Sequence, residues 1–400
     1  MNLKKFHFII IVIIFFNYSV HPQKLSVKQK VEDFKYLHSV LKNNFPYFGV
    51  LKRKYKVDWL SRRDEYLKQI KKTKNDKEFY KKISEIIDDL HNGHSDLFPT
   101  QCRKYFIKLY KDVTRKYPKY KKWVNVLKKG NDYWVKFTGK CYIADMGENK
   151  ITYDKNSLKL KIIEEGNIAV IKIKSFEHYQ IEKDKKKLLD FFKKIKNYKN
   201  LIIDIQGNGG GDSTYWSKYI VPYLINKTIL YKTYIAIKKG KIVQNFYGED
   251  IKEYEKADIN KLRSFMPKLP PEILKGNFFV YSSTDKIEPK GSINFKGKLY
   301  LLVDRGVFSS SEGFAVFAKT TRWATVVGTR TSGDGIGTDP IIICLPNSKI
   351  LIRFPGDMGL NPDGSPNDET GTIPDIEIKG SSKNERLHKL IRLINNKIKH

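Results

Sequence analysis

Apolar positions change their period along the chain, and each change marks a different kind of structure. Between residues 24 and 98, Val31, Phe34, Leu37 and Leu41 recur near a 3.6-residue period, as do Trp59, Tyr66 and Ile70, and then Phe79, Ile83, Ile86, Ile87 and Leu90. That spacing lines one face of a helix. The pattern breaks at Asn43-Asn44-Phe45-Pro46 and at Lys74-Asn75-Asp76, so it predicts a helical N-terminal domain of three helices. Residues 99–165 carry short apolar runs such as Tyr133-Trp134-Val135 and Tyr142-Ile143 among turn-forming residues, which predicts a small β-rich insertion.

From residue 166 apolar strands and amphipathic helices alternate. Ile168-Ala169-Val170-Ile171-Lys172-Ile173 reads as a buried strand, residues 181–198 as a lysine-rich helix, and Leu201-Ile202-Ile203-Asp204-Ile205 as a second strand ending in Gly207-Asn208-Gly209-Gly210-Gly211. A helix over about 214–224 follows, then strands and long loops over 226–296. Next come the strand Leu299-Tyr300-Leu301-Leu302-Val303, a helix over 309–319 and the strand Ala324-Thr325-Val326-Val327. Continuous apolar strands alternating with helices predict an α/β core over residues 166–385 with largely parallel strands, followed by a tail helix over 386–400.

Composition bounds what such a chain can do. With 400 residues, 40% of them hydrophobic and 13% aromatic, it has apolar surface enough for two or three packed domains, which excludes a mainly disordered protein. The 76 Lys+Arg against 43 Asp+Glu leave a formal charge of +33, the usual footprint of a nucleic-acid binder. Such a binder concentrates its charge in a stripe or tail, whereas lysine is spread here along almost the whole chain. The charge therefore predicts non-specific attraction to anionic surfaces and no specific nucleic-acid partner.

The first residues, Met1-Asn2-Leu3-Lys4-Lys5, precede an apolar run over 8–16 and the polar Asn17-Tyr18-Ser19. A basic start followed by 7–15 apolar residues is the pattern of a signal peptide, here over 1–22, and about 20 apolar residues would be needed to span a bilayer. The protein is expected to be exported, to the cell surface or beyond it. The stretch before Pro22 lacks a small-x-small cleavage site, so an uncleaved anchor stays open. Cys102, Cys141 and Cys344 fit no metal-binding spacing, and a bridge between Cys102 and Cys141 is compatible with an oxidising compartment.

Four motifs could carry chemistry, each with a plain structural alternative. The glycine-rich turn at 207–211 joins a strand to a helix but lacks the Lys-Ser/Thr of a phosphate-binding loop, and no acid follows about 20 residues on to hold a ribose. Its backbone N–H groups could face a developing oxyanion, or it is a tight turn with Asp212 or Ser213 capping the helix. Phe308-Ser309-Ser310-Ser311-Glu312 also opens a helix after a buried strand. That turn presents a serine outward, yet Ser309-x-x-Glu312 is equally a capping box. His91-Asn92-Gly93-His94 has no third ligand at metal spacing, but a histidine there could serve as a general base. Asp368 and Glu369 are two acids in a polar loop.

Together these supply base, oxyanion donors, nucleophile and orienting acid, the parts of a serine hydrolase. In order and flanks they resemble the S41 serine peptidases, the family of the C-terminal processing proteases, the tricorn core protease and interphotoreceptor retinoid-binding protein. The resemblance runs from about residue 31 to 378. It rests on Asp33-Phe34-x-x-Leu37, Asn44-Phe45-Pro46, Asp58-Trp59, Glu78-Phe79-Tyr80, Asn92-Gly93-His94-Ser95, Ile203 to Gly211, Phe308-Ser309-x-x-Glu312, Gly328-x-x-Thr331-x-Gly333 and Gly371-x-x-Pro374-Asp375.

The resemblance implies a ClpP/crotonase-like core of stacked βα units and a peptidase acting on peptide or protein substrates without metal or cofactor. It implies Ser309 as nucleophile, with Ser310 as one oxyanion donor and Gly210, or next Gly209, as the other. Processing proteases place a lysine base after Gly-x-x-Thr-x-Gly; this chain has Asp334 there, which favours the tricorn-like arrangement with His94 as base. In that arrangement the orienting acid is Asp368, with Glu369 its rival. The arginine usual after the Asp of the glycine-rich motif is Gln206. Residues 94–168 show no PDZ-like Gly-Leu-Gly opening, so tail-specific processing is not expected. A carrier protein on the same fold is the alternative function.

Overall fold

The computed structural model describes residues 24–138, 146–147, 150–151 and 157–396. The expected signal peptide over 1–22 lies outside the described residues, as does Cys141. Cys102 is disulfide-bonded and Cys344 is free. No helix among the described residues is long and apolar enough to cross a membrane.

Apolar runs with no polar face need cover on both sides, and the fold provides it around a six-stranded sheet. Its order is Ile376–Glu377, Thr325–Gly328, Lys298–Val303, Asn200–Asp204, Ile168–Ile173 and Leu158–Glu164. All pairings are parallel except the last, where Leu158–Glu164 runs against Ile168–Ile173. Helices Ile181–Lys194 and Ser310–Thr321 bring Leu188, Phe192, Phe314 and Phe317 against Ile171, Ile203 and Leu301 on one face.

The other face is closed by helix Lys383–Asn396, whose Leu390 and Ile394 pack on Val170, Ile202 and Leu302. Arg386 on this helix donates from Nε to Gln206 Oε1 (2.6 Å) and from Nη2 to Asp304 Oδ2 (2.8 Å). A guanidinium thus reaches the glycine-rich loop from the C-terminal helix.

The N-terminal region forms four helices, Val27–Asn44, Phe48–Tyr55, Arg63–Lys71 and Asp76–Asp88, one more than the periodicity predicts. Lys56, in the left-handed conformation, ends the second helix, and the segment before Arg63 lets Trp59 turn inward to donate its indole N–H to Ile86 O (2.8 Å). These helices share one core with a four-stranded sheet, Asp357–Leu360, Ile229–Lys238, Phe278–Ile287 and Glu255–Lys256, and with a three-stranded one, Asp96–Leu97, Leu351–Phe354 and Ile341–Cys344.

The segment expected to be β-rich differs most. Its described residues contain helices Arg103–Thr114 and Lys121–Leu127 with short 3₁₀ turns, among them Asp132–Phe137 over the Tyr133-Trp134-Val135 run. Strands there are confined to Met146–Gly147, Lys150–Ile151 and Leu158–Glu164. Aromatic residues favour strands only where a pleated surface awaits them. Tyr110, Trp123 and Trp134 instead pack into the shared core, and Trp134 Nε1 donates to Ser348 O (2.8 Å).

Candidate active site

Ser309 stands between the strand Lys298–Val303 and the helix Ser310–Thr321, with φ 58° and ψ −129°. Such a backbone costs on the order of 1–3 kcal/mol for a residue with a Cβ and persists only when its surroundings impose it. Here they do. Phe308 N donates to Asn208 O (3.3 Å), Ser309 N to Gly333 O (3.4 Å) and Gly313 N to Ser309 O (2.9 Å), while the Ser311 hydroxyl bonds to Asn208 O. The elbow is therefore clamped between the glycine-rich loop and the segment at 333. The capping alternative does not form: the Ser309 hydroxyl makes no cap hydrogen bond, and Glu312 is fully buried, accepting from Asn367 Nδ2 (2.9 Å) and Thr372 Oγ1 (2.6 Å).

The Ser309 hydroxyl instead lies 3.1 Å from His94 Nε2. His94 sits in the loop after helix Asp76–Asp88, where its N–H donates to Asn92 Oδ1 (3.0 Å) and its ring packs on Phe308 with centroids 4.5 Å apart. Nδ1 is 2.8 Å from Asp334 Oδ2. With Nδ1–H donating to the carboxylate, Nε2 is the acceptor for the serine proton. His91 takes no part, being stacked on Tyr55.

Asp334 is buried, with φ 58°, and Tyr47 OH (3.0 Å, to Oδ1) and Asn92 Nδ2 (3.1 Å, to Oδ2) also donate to it. Burial pushes its pKa up, but the His94 charge and the three hydrogen bonds outweigh that and hold it below the usual carboxylate value. It is an anion where an imidazolium would need one.

The two acids expected in that role lie elsewhere. Asp368 accepts from Asn92 Nδ2 (3.0 Å) on the far side of that amide, and burial next to the Asp334 charge pushes its pKa up to about 8, so it is protonated at neutral pH. Glu369 faces away and pairs with Arg53 (2.7 Å). Neither is hydrogen-bonded to His94. The available signal for Asp334 was its place directly after Gly328-x-x-Thr331-x-Gly333, where a substituted base could equally be read as a partner for a different base.

Among the expected oxyanion donors, Ser310 N–H opens a helix and so belongs to the group of N–H donors without an intrahelical acceptor. Gly210 N–H is occupied by Asn208 Oδ1 (2.9 Å), whereas a Cβ on Gly209 would meet nothing within 4 Å. Gly210 has a different use. At φ +103°, it lets the loop approach the elbow so closely that a Cβ would lie 2.9 Å from Phe308 O, Ser309 Cβ and Ser310 N. Gly209, Gly210, His94 and Ser309 all face one cleft of about 1070 Å³.

The model of peptidase family S41 matches residues 167–378. No curated protein matches the sequence. Among solved structures, a Parabacteroides merdae ATCC 43184 protein described as a candidate peptidase is 21% identical with a TM-score of 0.58, covering 91% of this chain and 96% of its own. Mature CPAF is 13% identical with a TM-score of 0.56, covering 92% and 98%. A lipoprotein from Streptococcus agalactiae is 15% identical with a TM-score of 0.50, covering 92% and 96%. At these identities the likeness is one of fold.

Proposed function

The chain belongs to peptidase family S41, and from that premise we propose that it is a serine peptidase in which Ser309 is the nucleophile, His94 the general base and Asp334 the orienting acid. The observation that carries this reading is the 3.1 Å contact between Ser309 Oγ and His94 Nε2, made by a serine whose backbone is held in a strained conformation. A hydroxyl not spent on capping, aimed at an imidazole whose other nitrogen meets an anion, is the geometry that acyl transfer needs.

Ser309 Oγ attacks the peptide carbonyl carbon as its proton passes to His94 Nε2. The oxyanion that forms is met by the N–H groups of Ser310 and Gly209, while the Asp334 carboxylate holds the imidazolium through Nδ1–H. The imidazolium then returns the proton to the amine nitrogen, the C–N bond breaks, and an ester to Ser309 remains. A water that gives its proton to His94 cleaves this ester, and Ser309 recovers its hydrogen. Every proton in the cycle moves through one nitrogen. The reaction is exported in this reading, supported by the basic and then apolar start of the chain.

A fluorophosphonate probe tests the assignment. Wild type should be labelled, and Ser309→Ala should not be labelled while keeping the wild-type circular dichroism spectrum. Equal labelling of the variant would overturn the role given to Ser309.

A further inference from the structure

The cleft above Ser309 is walled by charged groups, and most have protein partners. Arg353 pairs with Asp96, His178 with Asp212 (2.5 Å), Asp112 with Lys108 (2.9 Å) and Lys119 with Asp250, while Glu177 is bonded to the Tyr105 hydroxyl. Asp339, like Glu177, is bonded to a tyrosine hydroxyl. Its Oδ2 accepts one bond, from Tyr120 OH (2.5 Å), and no cation among the described residues forms an ion pair with it. Lys116 and Lys218, also on the cleft wall, interact with Tyr117 instead.

Asp339 is crowded by protein, yet the surface left to it is exposed to the cleft. Burial pushes its carboxyl above the usual carboxylate value, and it feels the charges of Asp212, Lys119 and His94, the last of which puts it within electrostatic reach of the reacting atoms. Its backbone is fixed: Tyr247 OH donates to Asp339 O (2.8 Å) and Trp123 Nε1 to Pro340 O (2.8 Å). Around it the cleft is aromatic, with Phe106, Tyr110 and Tyr120 on the wall. A carboxylate on a fixed backbone, held by one tyrosine hydroxyl beside an aromatic wall, suits a side chain with a long aliphatic stem and a cationic head.

We propose that Asp339 is a specificity-determining residue, and that the peptides cleaved at Ser309 carry a lysine or arginine close to the scissile bond, with its cationic head on Asp339. The inference rests on the serine-peptidase reading above and names the substrate class of that site. A charge pair from which the bound peptide excludes water discriminates against a neutral isostere by about tenfold or more.

The test uses the full chain and matched peptides that differ only by lysine, norleucine or glutamate, scanned through the positions flanking one cleavable bond. At one position, wild type should prefer lysine over norleucine in kcat/KM by about tenfold or more. Asp339→Asn should bring that ratio near one, Asp339→Glu should retain most of it, and Asp339→Lys should turn the preference toward glutamate. A wild-type ratio near one at every position, or an unaltered ratio in Asp339→Asn, overturns the proposal. If no peptide is turned over although the probe labels Ser309, protection from labelling replaces turnover: lysine peptides should protect wild type better than norleucine peptides do, and equal protection overturns the inference alone. Failure of wild type to be labelled sinks the catalytic reading, and the inference with it.

Discussion

His94 Nδ1 lies 2.8 Å from Asp334 Oδ2, a contact between residues 240 positions apart, made by an aspartate in a left-handed backbone conformation. The pairing gives each acid near the site a different electrostatic state. Asp334 is anionic because the imidazole, Asn92 and Tyr47 donate to it, and Asp368 is protonated because it is buried beside that anion.

Three isosteric substitutions separate these roles. Asp334→Asn should lower kcat about a thousandfold to ten-thousandfold, because an amide no longer holds the imidazole in the tautomer that accepts the serine proton. Asp368→Asn replaces a neutral acid by a neutral amide and should cost less than about tenfold at pH 7. Glu369→Gln should do no more, since its partner is Arg53. Initial rates on one peptide decide the order, and a larger loss in Asp368→Asn than in Asp334→Asn would reverse the assignment.

Stability should fall as the pH rises from about 4 to about 8. In this window the unfolded chain has released the Asp368 proton near its ordinary value of 3.8, whereas the folded chain keeps it until about 8. The native state binds the extra proton, so alkali favours unfolding. Asp334, held low, works in the opposite sense: its contribution is present above its ordinary 3.8 and is lost as the pH falls through its depressed value. Urea midpoints at pH 5 and pH 8 should differ more in wild type than in Asp368→Asn. Asp357, pushed up to about 7 by burial, titrates in both proteins and cancels from the comparison.

Asn92 divides its amide between the two acids, at 3.1 Å from Asp334 and 3.0 Å from Asp368. Asn92→Ala leaves both buried oxygens short of a donor and should cost about 1–3 kcal/mol in urea unfolding. It also removes the acceptor for the His94 N–H, so kcat should fall as well. Backbone amide exchange at residues 92–95 reads the second effect separately.

Gly210→Ala places a methyl 2.9 Å from the Ser309 Cβ and the Ser310 nitrogen and demands a φ of +103° from an alanine. The elbow has to shift, and a displacement near 1 Å at reacting atoms costs about a hundredfold. Fluorophosphonate labelling should slow by that order. Gly209→Ala, where a Cβ meets nothing within 4 Å, should leave the elbow in place and serves as the comparison.

Local chemistry made much of this protein readable in advance. Continuous apolar runs at 168–173, 201–205 and 299–303 have only one economical use, as buried parallel strands, and the sheet contains all three side by side. The turns that follow two of them, Gly207 to Gly211 and Phe308 to Glu312, announce themselves by residue type, because glycine and serine at strand-to-helix turns meet backbone demands that few residues satisfy. Tertiary structure decided what those demands could not reach. Whether Tyr105 to Leu127 forms strands or helices depended on the core the aromatics enter, because their β preference is a preference for a surface and not for a backbone. Which acid meets His94 depended on a fold that brings residues 47, 92, 334 and 368 within one hydrogen-bonded cluster, where Asn92 and Tyr47 divide the available donors. A carboxylate's charge is set by such neighbours, and neighbours distant in sequence become visible only once the chain is folded.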